Sequence, residues 1–284
     1  MLKRIITSVV AAVCLLVPAI IFSHTVVLPI AIAICAAISI FEMLKCMGVH
    51  KKYIVSVPLY LIAVAAPFAV RYIESGAVTA SVCFVVAIAY LIFTFACVIW
   101  SHGKYTFADG MSVFCICGYI IAAFCSIIYV RDFDDGGGFI FILIFLGAWM
   151  TDIFAYFTGK LFGKHKLIPD VSPKKTIEGS IGGIVFCTIS FVLYALVIDA
   201  VFDMYIRLTF LIVSGVLVSI VSQIGDLIMS VIKRHYGIKD YGKIFPGHGG
   251  MLDRFDSVLI VSLCMFAICL VAKLLGYDFI SALT

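Results

Sequence analysis

The sequence predicts an all-α polytopic integral membrane protein of about nine transmembrane helices, with its N-terminus cytoplasmic and its C-terminus outside. Three observations carry that prediction. The 284 residues are 64% hydrophobic and only 13% charged, whereas soluble domains are about half apolar and about a quarter charged. Apolar runs close to the ~20 residues needed to cross ~30 Å of hydrocarbon recur along the chain. Of the 20 Lys and Arg, all but Arg71, Arg131, Arg207 and Lys273 fall on one side of the loops these runs define, the bias that sets orientation. The runs are continuous and rich in Ala, Leu and Ile, without period-two alternation, which favours helix over barrel.

In order, the candidate spans are residues 5–22, 26–41, 53–70, 77–100, 111–130, 138–157, 181–202, 208–228 and 255–275. The first two are short and joined only by residues 23–25, so they read as a tight spanning hairpin or a re-entrant pair. Lys3 and Arg4 before the first run resemble a signal peptide, but no small-x-small cleavage site follows, and a retained signal anchor is expected. Spans one to five form an N-terminal region, residues 1–136. Spans six to nine form a C-terminal catalytic region, residues 137–284, with the longest hydrophilic segments as its cytoplasmic loops 159–180 and 231–254. The 11 cysteines lie almost entirely in apolar runs, in no CxxC or Cys/His spacing, and read as small buried hydrophobes. The net charge of +4 combines a strongly basic cytoplasmic face with a mildly acidic outer one. Such a face suits anionic headgroups or nucleotides, although Lys3, Arg4, Lys51 and Lys52 are explained by topology alone.

Chemistry concentrates in the last two spans. Ser219, Ser222, Gln223, Asp226, Ser230 and Lys233 recur at three- and four-residue steps, one polar stripe on a helix running to its cytoplasmic end. Asp253 and Asp256 open the next span at i,i+3, and Asp152 lies within the sixth. An ionised carboxylate in hydrocarbon costs ~2.5–3.5 kcal/mol even on insertion scales, so these acids face a wet cavity or something positive. Asp226 has a plain alternative, an ion pair with Lys233 or Arg234 that holds helices together. Several carboxylates at one depth instead suggest a trapped cation, and an oxygen-only shell suits Mg²⁺, Mn²⁺ or Ca²⁺ over zinc. Gly242, Pro246, Gly247, Gly249 and Gly250 form a loop whose N–H groups could approach phosphate oxygens. Lys233, Arg234, Lys239 and Lys243 add positive charge. Metal, backbone donors and basic side chains together fit phosphoryl-type transfer. His248 reads equally as a phosphate contact, a proton carrier or a loop-capping residue, and His24, His50, His102 and His165 read as interfacial. In the other loop Lys174 and Lys175 precede Thr176, a candidate N-cap whose helix would favour phosphate. A basic loop beside anionic lipid is the plainer reading there.

The stretch SVIKRHYGIKDYGKIFPGHGGMLDRFDS, residues 230–257, resembles the signature of the phosphatidate cytidylyltransferases, or CDP-diacylglycerol synthases. The matching positions are Ser230, Lys233, Arg234, Lys239, Asp240, Gly242, His248, Gly249, Gly250, Asp253, Arg254 and Asp256. SQIGD (222–226), TDIFAYFTGKLFG (151–163) and SPKKTIEGSIGG (172–183) are similar to the family's other blocks. The resemblance implies transfer of CMP from CTP to phosphatidic acid with Mg²⁺, giving CDP-diacylglycerol and pyrophosphate. It implies catalytic roles for Asp226, Lys233, Asp253 and Asp256, with Asp226, Asp253 and Asp256 on the metal and room for a second cation. Substrate contacts are implied for Lys174, Lys175, Ser222, Ser230, Arg234, Lys239, Asp240, His248, Gly249, Gly250 and Arg254. The expected partners are CTP, phosphatidic acid and membrane lipid, with no nucleic acid; a homodimer is left open. In a bacterium the protein would sit in the inner membrane with its site facing the cytoplasm. The alternatives are a CTP-dependent polyprenol-type lipid kinase of related fold and an ion-coupled transporter. The kinase would release CDP, and the transporter reading lacks an internal repeat and a mid-membrane acid.

Overall fold

The computed structural model describes residues 21–133, 136–169, 171–245, 249–277 and 280–282. Among these residues, eight helices are long and apolar enough to cross a membrane. They are α1 (Val27–Cys46), α2 (Tyr53–Tyr72), α3 (Gly76–Trp100), α4 (Phe107–Arg131), α5 (Gly137–Phe162), α6 (Ile177–Phe202), α7 (Leu208–His235) and α8 (Leu252–Leu274). They correspond in order to the second to ninth expected spans, and the protein is a multi-pass, helical membrane protein. The first expected span, residues 5–22, lies almost wholly outside the described residues. Several helices outrun their apolar stretch: α5 and α7 extend at their C-terminal ends, and α6 and α8 begin earlier. A helix satisfies its own backbone and so persists past the hydrocarbon edge. The candidate acids lie in the C-terminal halves of α5 and α7 and the first turns of α8.

The chain divides into two compact units, Met1–Tyr129 with Tyr236–Arg254, and Val130–His235 with Phe255–Thr284. In the first unit α1 packs on α2, and α2 on α3. Pro58 and Pro67 lie inside α2, where each removes a ladder donor. Tyr90 of α3 donates its hydroxyl to the carbonyl of Val55, in the turn before Pro58, at 3.3 Å. Thr106 and Asp109 cap α4 reciprocally: Thr106 N donates to Asp109 Oδ2 at 3.0 Å, and Asp109 N to Thr106 Oγ1 at 3.2 Å.

In the second unit α5, α6 and α7 pack against one another. Membrane helices lack a hydrophobic drive to associate in lipid, so close approach over small residues matters. A Cβ at Gly147 of α5 would fall on the Val218 side chain and come within 3.1 Å of Phe191. One at Gly179 of α6 would come within 2.6 Å of the Ala155 carbonyl on α5. Two short antiparallel pairs, absent from the sequence reading, serve the helix ends. Strand β1 (Lys166–Ile168) pairs with β2 (Ser172–Thr176), with Lys166 opposite Thr176; β3 (Met204–Ile206) pairs with β4 (Ile280–Ala282). Backbone groups leaving a helix near apolar surface need partners, and pairing supplies them. Thr176 caps α6 as the sequence predicts, its Oγ1 accepting from Gly179 N at 3.1 Å.

Overpacking at such a contact costs about 1–3 kcal/mol. Gly147→Val is therefore expected to lower the thermal midpoint of the detergent-purified protein by several degrees. An unchanged midpoint would contradict the close packing of α5 on α6 and α7.

Candidate active site

The second unit gathers three acids from three helices. The close passage of α6 over α5 brings β2 alongside the end of α5. Along β2, Lys174 is exposed, Lys175 half-buried and Thr176 buried, burial deepening toward the start of α6. Lys175 Nζ lies 2.5 Å from Asp226 Oδ2 of α7 and 3.4 Å from the carbonyl of Gln223. Asp226 thus pairs with Lys175, a partner the sequence reading did not name. Gln223 Nε2 donates to the carbonyls of Ser180 and Ser219, each at 3.3 Å, and Thr151 Oγ1 donates to Ser219 Oγ at 3.0 Å. The stripe read from the sequence therefore faces inward: Ser219, Ser222 and Gln223 are buried, and Asp226, Ser230 and Lys233 half-buried. Ser222 Oγ is buried without a hydrogen-bond partner.

Asp256 of α8 lies within electrostatic reach of Asp226, Lys233 and Asp152. Ser257 Oγ donates to Asp152 Oδ2 at 3.4 Å. Gly225 makes this approach feasible, since a Cβ there would collide with Ile260 and come within 3.2 Å of the Asp256 carbonyl. Asp152, Asp226 and Asp256, with the Ser257 hydroxyl, bring only oxygen atoms to this neighbourhood. Among the described residues, no group of three or more His, Cys, Asp or Glu is placed to hold a metal ion. In this structure the Lys175 ammonium supplies the positive charge beside Asp226.

The first unit holds the glycine loop and the start of α8. Asp253 is buried, and its Oδ2 accepts from Tyr241 N at 2.8 Å and Gly250 N at 2.9 Å. Phe245 N donates to the carbonyl of Gly249 at 3.0 Å, and Gly249 has φ +83°, a left-handed conformation that favours glycine. Lys239, Asp240 and Arg254 are exposed, as is Arg234 in the second unit. His248 lies outside the described residues. The sequence reading missed Glu42 of α1, which is 2% exposed. Its Oε1 accepts from Met251 N at 3.0 Å and its Oε2 from Leu252 N at 2.9 Å. One signal was available: Glu42 is the first acid in the chain and is flanked by apolar runs.

A cluster of acids and lysines within apolar helices, on a chain that also carries a glycine loop, defines a class of protein that handles anionic groups at a lipid boundary. The chain belongs to the cytidylyltransferase family, whose family model matches residues 2–272. It is similar to proteins named phosphatidate cytidylyltransferase. That of Staphylococcus epidermidis is 38% identical over 176 residues, covering 62% of this chain and 64% of the relative. That of Staphylococcus aureus is 36% identical with the same coverage. That of Bacillus subtilis is 34% identical over 272 residues, covering 92% of this chain and 94% of the relative. The match thus spans just under two thirds of the staphylococcal relatives and nearly all of the Bacillus one.

Breaking one partner of a charged pair costs about 1–3 kcal/mol or more when the other is left uncompensated. Lys175→Met is expected to lower the thermal midpoint in detergent, and adding Asp226→Asn to recover most of the loss. Simple additivity of the two changes would show that the pair is not coupled.

Proposed function

We propose that the protein is a phosphatidate cytidylyltransferase that transfers CMP from CTP to phosphatidic acid. The observation that carries this reading is the meeting of Asp152, Asp226 and Asp256 with Lys175 and Lys233 in one unit, on a chain of the cytidylyltransferase family. An oxygen of the lipid phosphate forms a bond to the α-phosphorus of CTP. The bond from that phosphorus to the bridging oxygen breaks, and pyrophosphate leaves. The attacking phosphate is already an anion at neutral pH, so no strong general base is required. Lys175, Lys233, Arg234, Lys239 and Arg254 neutralise the triphosphate and the phosphatidate headgroup, with Lys174 assisting from β2. Loop N–H groups, Gly249 among them, are the proposed contacts to phosphate oxygens, with Gly250 in the same loop. Ser222 and Ser230 offer hydroxyls along α7, while Asp240 and His248 complete the loop's contacts.

Asp226 and Asp256 are the proposed Mg²⁺ ligands, with Asp253 one turn earlier on α8. When bound, the ion would neutralise charge on the nucleotide phosphates. Lys175 would then be available to a substrate phosphate, with each charge still compensated. The residues present leave oxygen donors for a second cation. The proposed topology has nine spans, the N-terminus inside, the C-terminus outside and the site on the cytoplasmic side of a bacterial inner membrane. The site as proposed needs no second copy, so a homodimer would carry two such sites.

Purified protein in detergent with labelled CTP and phosphatidic acid tests the reading. Mg²⁺-dependent release of pyrophosphate with a lipid-soluble cytidine product is expected; release of CDP would point to the lipid kinase instead. Asp226→Asn is expected to reduce turnover by at least about a hundredfold while the protein elutes as wild type. Near-normal turnover in that variant would remove Asp226 from the site.

A further inference from the structure

We propose that Glu42 is a positioning residue: a carboxylate carried by α1 holds the start of α8 and the glycine loop in the arrangement that presents Asp253 and Arg254. The first N–H groups of a helix have no acceptor within it, and a negative charge there is favoured by the helix dipole. Glu42 answers this at α8 from 209 and 210 residues away in sequence, one carboxylate oxygen to Met251 N and the other to Leu252 N. Two acceptors on a rigid plane fix the direction of the helix start as well as its place. The loop is shaped around this acid. A Cβ at Gly242 or at Gly250 would fall on the Glu42 carboxylate, so both positions keep the space open.

Asp253 takes the neighbouring donors, Tyr241 N and Gly250 N, on Oδ2. Glu42 and Asp253 are close enough to repel each other, and convergent N–H groups are what permit both carboxylates to be buried. The loop is therefore gripped from both sides, by α1 and by α8 itself. A plain helix pin does not need a charge, since neutral Ser, Thr or Asn commonly cap helix starts. A full carboxylate inside an apolar helix is costly, and here it meets converging donors at the edge of the signature segment. The consequence for catalysis rests on the reaction proposed above, in which this loop meets the nucleotide phosphates.

The test uses full-length protein carrying Glu42→Gln, Glu42→Asp or Glu42→Ala. CTP and phosphatidate are varied separately, and tryptic cleavage is followed at Lys239 and Lys243, both exposed. Glu42→Gln keeps the shape and one good acceptor. It is expected to raise KM for CTP about tenfold, to leave KM for phosphatidate within about twofold, and to speed cleavage at both lysines. Glu42→Asp, shorter by one methylene but still charged, is expected to recover part of each effect. A general loss of folded enzyme would lower kcat and leave both KM values alone. That outcome in Glu42→Gln, or an unchanged KM for CTP with unchanged cleavage, overturns the proposal. Should Glu42→Ala fail to fold, the Gln and Asp variants decide the matter. If the wild type releases no pyrophosphate, the proposed reaction falls, while the cleavage rates still decide whether Glu42 holds the loop.

Discussion

A charge placed within apolar helices has to be answered where it stands, and most of what is distinctive in this chain follows from that constraint. An uncompensated carboxylate at membrane depth costs several kcal/mol. Glu42 and Asp253 are answered by backbone N–H groups, Asp226 by Lys175, and Asp152 by the Ser257 hydroxyl. Each answer places a demand on the chain. Lys175 reaches Asp226 only because the β1–β2 pair carries it there and Thr176 then turns the chain into α6. The donors for Glu42 and Asp253 exist only because the loop folds back on itself with glycine at its tightest points.

The same constraint connects fold to proposed chemistry. The acids of the second unit lie in the C-terminal halves of α5 and α7 and near the start of α8, inside the apolar stretches but toward one end of them. On α5, Ile153, Phe157, Leu161 and Phe162 remain exposed beside Asp152. Exposed apolar side chains next to acids and lysines make a surface with two solvents. Acyl chains are suited to one of them and phosphates to the other. A lipid phosphate offered to a nucleotide needs both within a few ångströms, and an amphipathic helix end provides that without a separate soluble domain.

Much of this was legible in the sequence because it repeats or lies close along the chain. Eight spans follow from apolar length, and the Thr176 cap from a hydroxyl residue before a helical run. The Ser219-to-Lys233 stripe follows from helical periodicity, and the structure turns its upper residues inward as that periodicity implies. What escaped was long-range. Glu42 acts on residues more than two hundred positions away, and nothing local to either end names the other. Lys175 reaches Asp226 through a strand pair whose short, polar, Pro-containing sequence lacks a clear alternating pattern. Lys233 and Arg234 were nearer in sequence and so were the natural partners to name for Asp226. Lys175 comes to that carboxylate from a different element, β2, to which helical spacing does not point.

The two kinds of answer differ in what they allow next. A carboxylate held by backbone N–H groups cannot change partner unless the main chain moves, so Glu42 and Asp253 Oδ2 belong with the frame. A carboxylate held by a lysine side chain can change partner by rotation of a flexible stem, so Asp226 and Lys175 can separate and each accept a new counter-charge with the backbone at rest. Substrates that arrive as polyanions and leave as different polyanions require that freedom. The fixed acids define where the helix start and loop stand. The exchangeable pair, partly exposed at 23% and 28% of its side-chain surfaces, is the part suited to the changes of charge that the proposed reaction entails.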